Sequence, residues 1–382
     1  MSDRTYTDAK GQAMAHTVLS KTLGVRAGEA VTIETWSETL PWATAFVLEA
    51  RRMGARPILL LEDESTYWKS LEESAPKTLG TPGKHEWALL EKTDAYVFFW
   101  GPSDLPRAAR VPEKTQELLT AYDDRWFETA NRAGLRLARM FLGRISEASA
   151  NSYGVDADEW RRELVEATLV DPEILRRSAS KIARRLKEGT SLTVTHSNGT
   201  ELELRLKHRD PRVYDGYVHA IHGGIGPSRG PHGIGTEMGA LDTPMPAGYV
   251  VTALDEDFAE GRFRANHSDP VPMQHGTGGT WEFRGGRLVS HSYESGAREF
   301  DRAFGLGGRG RDSPGSISIG LNPKLDLSPW MGDQALGTVT LTLGNNRMSG
   351  GSTDAHFFAF LILRGGTVRV DGKYLVRNGK LS

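Results

Sequence analysis

The apolar residues of this chain change period near Gly189, and that change limits the fold more than any single motif. Before it, short apolar runs alternate with helical stretches. They are Ala30 to Thr35 (AVTIET), a helix from about Glu38 to Met53, Pro57 to Glu62 (PILLLE), and Asp94 to Trp100 (DAYVFFW). Strand-length apolar runs separated by helical spacing read as β-α-β. Ser37 stands where a helix N-cap belongs, and Gly54 follows the basic pair Arg51-Arg52 where a helix stop belongs. Further helices are predicted over Ala121 to Ala133, Asp156 to Leu169 and Pro172 to Lys187, with Asp156 and Asp171 as caps and Pro172 at the favoured first position.

After Gly189 the period is two. Leu192, Val194 and His196 alternate with polar residues, Asn198-Gly199 marks a hairpin turn, and Leu202, Leu204 and Leu206 continue on the return strand. Similar hairpins are predicted around Gly285-Gly286 and Asp371-Gly372, and the glycine doublets concentrate in this half. The fold class is therefore α/β (α+β). Residues 1–188 are expected to form an α/β domain, and residues 189–382 a mainly β domain that carries the site.

A chain of 382 residues is long enough for two cores. Its 47 basic and 49 acidic side chains leave a net charge of −2, so there is no broad field to gather nucleic acid or anionic lipid. A small molecule or short peptide is the expected partner. With no cysteine at all, disulfides, thiolate nucleophiles and cysteine-held metals are excluded. The polar start of the chain and the absence of a membrane-length apolar run point to the cytoplasm.

The local motifs say less. Gly223-Gly224-Ile225-Gly226 with Gly230 and Gly233 has neither a dinucleotide fingerprint nor a P-loop ending, and reads as a glycine-rich connection. His219, His222 and His232 lie on that connection without a nearby acidic ligand until Glu237. No Gly-x-Ser-x-Gly elbow in a convincing strand-to-helix context and no His-Glu-x-x-His is found.

The C-terminal half carries a longer pattern. Met245 to Ala253 (MPAGYVVTA), Ser316 to Pro323 (SISIGLNP), Gly337 to Gly344 (GTVTLTLG), His356 to Phe358 (HFF) and a closing Asp371-Gly372 follow one another in that order. This order resembles the aminopeptidase T and aminopeptidase S family of metallopeptidases. That family carries Pro-x-Glu-Val-x-Thr, a Glu strand leading into Gly-x-Asn-Pro, a His strand ending in a glycine turn, a His-x-Asp pair and an Asp-Gly. The N-terminal VTIETWSETLP also looks like the family's first strand and helix, so the resemblance spans nearly the whole chain.

The resemblance implies a metallopeptidase-like fold, a homodimer, and a site where carboxylates and imidazoles hold two divalent ions that activate water. Position by position, the first family Glu falls on Tyr249, the second on Ser316, the first His on Thr340, and the Asp of the last pair on Phe358. Only His356 keeps a ligand type. One imidazole cannot neutralise two dications, and neutral hydroxyls are weak ligands, so the usual dinuclear site is not expected. The related dihydroxypyridine ring-cleaving dioxygenases keep one iron on two His and one Asp, and Ser316 and Phe358 remove two of those three.

The expected site is thus a remodelled one. His356 would act as general acid or base, and Tyr249, Ser316 and Thr340 as hydrogen-bond donors to a developing oxyanion. Phe357 and Phe358 would add apolar surface, and Asn322 and Asn346 polar contacts to substrate. The expected chemistry is hydrolysis or ring opening of a small aromatic or amide-containing molecule. Two other readings stay open: a single divalent ion held by His356 with carboxylates or histidines such as Asp255, Glu256, Asp354, His267 or His275, and a non-catalytic binding protein. Loop carboxylates of this kind are expected to be solvated.

Overall fold

The structure is a computed structural model, and it describes residues 3–81, 83–219, 242–271, 274–295, 297–326 and 331–382. The chain divides into two compact units. Of the described residues, the first holds 3–172, 216–219 and 242–247, and the second 173–215 and 248–382.

The first unit is built on a five-stranded parallel sheet. Strands β1 (Ala30–Trp36), β2 (Arg56–Glu62), β3 (Ala95–Phe99) and β4 (Arg136–Met140) lie with a later strand, β8 (Asp242–Met245), in the order β2-β1-β3-β4-β8. The predicted apolar runs form these strands because a central parallel strand is buried on both faces. Val31, Ile33, Val97, Phe99, Leu137 and Met140 all lie in the core. Thr39 rather than Ser37 occupies the N-cap position of the helix Leu40–Arg52, because Ser37 to Thr39 make a single 3-10 turn first, in which the Thr39 hydroxyl accepts from the Trp36 amide. Strand β8 carries Asp242, whose carboxylate meets the buried Arg139 guanidinium at 2.8 Å across the ladder.

On the same sheet the Tyr96 hydroxyl donates to the Glu34 carboxylate. Burial raises the Glu34 carboxyl to about 7; the Tyr96 bond pulls the other way, while the Glu62 and Glu86 charges add to the rise.

The second unit is a twelve-stranded antiparallel sheet. Its strands are β5 (Ser191–His196), β6 (Thr200–Leu206), β7 (Arg212–Tyr214), β9 (Tyr249–Val271), β10 (Gln274–Arg284), β11 (Arg287–Ser292) and β12 (Pro314–Gly320). They continue through β13 (Val339–Gly344), β14 (Phe358–Leu363), β15 (Thr367–Val370), β16 (Lys373–Arg377) and β17 (Lys380–Leu381). All three predicted hairpins are present, as β5-β6, β10-β11 and β15-β16. Strand β9 organises the sheet: its first residues pair with β12 and its last with β14, while β13 joins β12 to β14. These four strands close a ring.

Candidate functional site

The ring positions four of the eight site residues singled out by the sequence. In an antiparallel ladder, directly opposed residues project from the same face of the sheet. Gly320 lies opposite Tyr249, Ser318 opposite Val251, and Ser316 opposite Ala253. Ser318 also faces Thr340, Thr342 faces Phe360, and Gly344 faces Phe358. One face therefore carries Tyr249, Ser316, Ser318, Thr340, Thr342, Phe358 and Phe360. The alternate positions, among them Val250, Ile317, Ile319, Leu341, Leu343, Leu361 and Leu363, make a fully buried aliphatic face.

The hydroxyl face is itself largely buried. Ser316 and Thr342 share a hydrogen bond of 2.8 Å, and the Ser316 amide donates to the same threonine oxygen at 2.7 Å. The Thr340 hydroxyl is fully buried and has no hydrogen-bond partner among the described residues. At the strand ends aromatic rings flank the hydroxyls. Tyr249 is half-buried and stacks on Tyr214 at 4.4 Å with 16° between the rings, and Phe358 meets Phe360 edge-on at 4.6 Å. Gly344 sets the approach of Phe358: it has a φ of +80°, and a Cβ there would fall 2.2 Å from the Phe357 carbonyl oxygen.

The other expected site residues lie elsewhere in the unit. His356 is exposed on the turn before β14, its amide bonded to the Gly307 carbonyl, and its imidazole has no hydrogen-bonding partner among the described residues. Phe357 is buried edge-on against Phe300 and Phe304. Asn322 is buried and accepts from the Lys324 amide. Asn346 donates to Glu256 and to the Gly315 carbonyl, and accepts from the Thr353 amide, so it is committed to shaping the turns beside the sheet.

Glu256, expected as a solvated loop carboxylate, is buried instead. Leu206 pairs with Leu254 but Leu204 with Ala259, so residues 255–258 bulge from β9. The bulge turns Glu256 inward, where it is buried rather than solvated. It accepts from Arg209 at 2.8 Å, from Asn346 at 3.1 Å, and from the Ser352 amide and hydroxyl at 3.1 and 3.0 Å. Burial alone would raise its carboxyl, but these donors, Arg209 first, more than offset it and hold the group well below the usual carboxylate range. Beside it a cleft of about 1050 Å³ opens between Lys207, Arg287, Arg309, Arg311, Asp312 and Asp354.

No group of three or more His, Asp or Glu able to hold a metal exists among the described residues. The side chains of His267 and His275, and the whole of His222 and His232, lie outside those residues; His219 is exposed beside Tyr217 in the first unit. Glu256 is saturated by its donors, and Asp354 pairs with Arg347 at 3.2 Å. The donor set on the ring face, a phenol and four aliphatic hydroxyls, does not fit a pair of divalent ions. No helix among the described residues is long and apolar enough to cross a membrane.

No protein-family model matches the chain, and no curated protein matches it. Solved structures do. The fold is similar to AmpT from Thermus thermophilus, with a TM-score of 0.71 at 16% identity, over 97% of this chain and 98% of that one. It is also similar to 2,5-dihydroxypyridine dioxygenase from Pseudomonas putida, with a TM-score of 0.60 at 15% identity, over 98% and 97%. The chain has the fold of the aminopeptidase T type, from first element to last.

Proposed function

We propose that this protein acts on a small aromatic or amide-bearing molecule, seated against the hydroxyl face of the ring, without a metal pair. The observation that carries the reading is Thr340. A buried hydroxyl left unpaired costs stability, and such a group in a native protein calls for an explanation, which the polar group of a bound molecule would supply. Tyr249 stacked on Tyr214, with Phe358 on the same face, supplies surface for a planar group. The fold is shared with 2,5-dihydroxypyridine dioxygenase, an enzyme named for an aromatic substrate, which supports the aromatic class.

Hydrolysis or ring opening needs a group that moves a proton. Ser316 is bonded to Thr342 and not to an imidazole, so a base-activated serine is not built here. His356 is the one imidazole of the matched set, and it is accessible. In the catalytic reading His356, on the turn two residues before Phe358, exchanges the proton, while Tyr249 and Thr340 hold the substrate from the ring face by hydrogen bonds.

The test pairs metal analysis with turnover. Protein purified without chelator is assayed for bound transition metal, and then against amino-acid anilides and dihydroxypyridines with and without added divalent ions. Substoichiometric metal and turnover independent of it are expected, with His356→Ala abolishing turnover and Thr340→Val weakening substrate affinity. A stoichiometric metal that disappears in His356→Ala overturns the reading in favour of a mononuclear metalloenzyme. Binding that Thr340→Val weakens, with no turnover of any probe, leaves the exposed His356 without a role and makes the protein a non-catalytic binder.

A further inference from the structure

The cleft beside Glu256 leaves two of its cations without a counter-charge. Lys207, Arg287, Arg309 and Arg311 line it, against Glu256, Asp257, Asp312 and Asp354. Three of these carboxylates are already engaged: Glu256 by Arg209 and Lys207, Asp257 by Arg287 at 3.5 Å, and Asp354 by Arg347, from outside the cleft, at 3.2 Å. Arg309 is exposed and makes no ion pair among the described residues. Arg311 donates to the Gly305 carbonyl at 2.8 Å, and its guanidinium lies 4.9 Å from the centre of the Phe304 ring, again with no carboxylate partner among the described residues. Asp312 pairs with neither.

The loop that carries both arginines, Gly307-Gly308-Arg309-Gly310-Arg311-Asp312, adds backbone donors. Gly308 has a φ of +70° and Gly310 of +86°, with Arg309 between them at ordinary negative φ. Alternation of hand along a turn draws successive N–H groups toward a common point, a concavity suited to anions. The amides of residues 308–312 donate to no acceptor among the described residues. The loop is held in place all the same. The Gly307 carbonyl accepts from the His356 amide at 2.9 Å, the Gly310 carbonyl from the Ser313 amide at 3.1 Å, and the Asp312 carbonyl from the Leu288 amide at 2.8 Å. A Cβ on Gly310 would fall 2.6 Å from the Thr353 methyl, so the loop packs hard against that turn. Its backbone is fixed before a ligand arrives, which lowers the ordering cost of binding.

We propose that this cleft binds a small organic anion, its phosphate or carboxylate group held by Arg309, Arg311 and the loop amides, and its apolar body against Leu288 and Phe304. Arginine suits either oxyanion, because its planar fork donates two parallel hydrogen bonds to a pair of oxygens. A volume of about 1050 Å³ is far more than one such group fills and stands at the upper end of small-molecule sites, so the ligand is an organic molecule and not a bare ion. Leu288 and Phe304 are half-buried and line the same cleft. Asp312 limits the affinity, since its unpaired carboxylate repels the ligand's charge. No hydroxyl of the ring face lines the cleft, so the inference stands apart from the reading above.

Isothermal titration calorimetry of the full-length chain uses phenyl phosphate, benzoate, inorganic phosphate and the neutral benzyl alcohol as probes. Saturable binding of phenyl phosphate or benzoate is expected, tighter than that of inorganic phosphate and absent for benzyl alcohol; the tighter of the two organic anions identifies the oxyanion. Arg309→Gln removes a charge-assisted contact and is expected to weaken binding about tenfold. Asp312→Asn is expected to tighten it, a change of sign that a folding defect does not give. Arg377→Gln, outside the cleft, is expected to leave it unchanged. Arg309 is exposed and unpaired among the described residues, and unchanged far-ultraviolet circular dichroism confirms that its variant folds. No saturable binding of either organic anion, inorganic phosphate bound as tightly as both, an Asp312→Asn variant that binds more weakly, or a loss in Arg309→Gln no larger than in Arg377→Gln overturns the proposal.

Discussion

A buried hydroxyl without a partner lowers stability by about 1 to 3 kcal/mol relative to one that is bonded. Thr340 is in that state. Replacing it by valine keeps the shape and removes the group that burial penalises, so Thr340→Val is expected to raise the urea midpoint by the equivalent of about 1 kcal/mol while weakening ligand binding. A stabilised variant that binds as well as the wild type shows that the hydroxyl contacts nothing. Glu34 gives a second prediction at this scale. Its carboxyl titrates at about 7 in the folded chain and near 4.5 in the unfolded one. The folded state therefore binds the extra proton, the contribution is fully present below about 4.5, and it is lost as pH rises through 7. Wild type is expected to lose roughly 2 to 3 kcal/mol between pH 5 and pH 8 from this group, and Glu34→Gln to flatten that fall. Urea denaturation at the two values of pH checks it; an equal loss in the variant assigns the dependence to other groups.

At the scale of elements, the bulge in β9 decides how the cleft side of the second unit is held. Arg209 and, from the connection between β13 and β14, Asn346 and Ser352 meet on one carboxylate. Glu256→Ala leaves a half-buried guanidinium and two turns without their common acceptor, and is expected to cost about 2 to 3 kcal/mol, read as a lower melting temperature. Because the folded carboxyl is held below its ordinary range, this contribution is present above the unfolded value and is lost as pH falls from there through the folded one, opposite in sign to Glu34. Glu256→Ala and wild type should therefore converge in acid. The hairpins were legible from their period and turn residues, and Asp156 from its position before a helical run, where it accepts from the Glu159 amide. The bulge was not, because the acidic run Asp255 to Asp257 has the composition of a solvated loop and its partner Arg209 lies 47 residues earlier. The helix expected from Ala121 begins at Glu113, since its first five residues are polar and give no apolar stripe to read. Strand β8 was missed because Asp242-Thr243-Pro244-Met245 has little strand propensity and is fixed by pairing with β4.

At the scale of the molecule, the ordered motifs in the sequence reported the architecture, and the register shows why. Tyr249, Ser316, Thr340 and Phe358 sit far apart in the chain yet share one face, so a pattern preserved in order and spacing reports the ladder even where its side chains have been exchanged. What the chemistry became was less legible, since Phe357, Asn322 and Asn346 look equally available in the sequence and are separated only by packing. With no metal-holding cluster among the described residues, dialysis against a chelator is expected to leave the melting temperature and any turnover unchanged. A fall in either that a single divalent ion restores would place ligands on the residues beyond those described.

Strand β9 pairs with strands that precede it and with strands that follow it by as many as 95 positions. During synthesis its first partners are already made when it leaves the ribosome, but the ring cannot close until Leu363 has emerged. A nascent chain stalled before that point carries a long strand with one side unsatisfied, the form most prone to wrong pairing and to chaperone capture. Truncation within the last twenty residues removes hairpins; truncation just before β14 removes the closure itself.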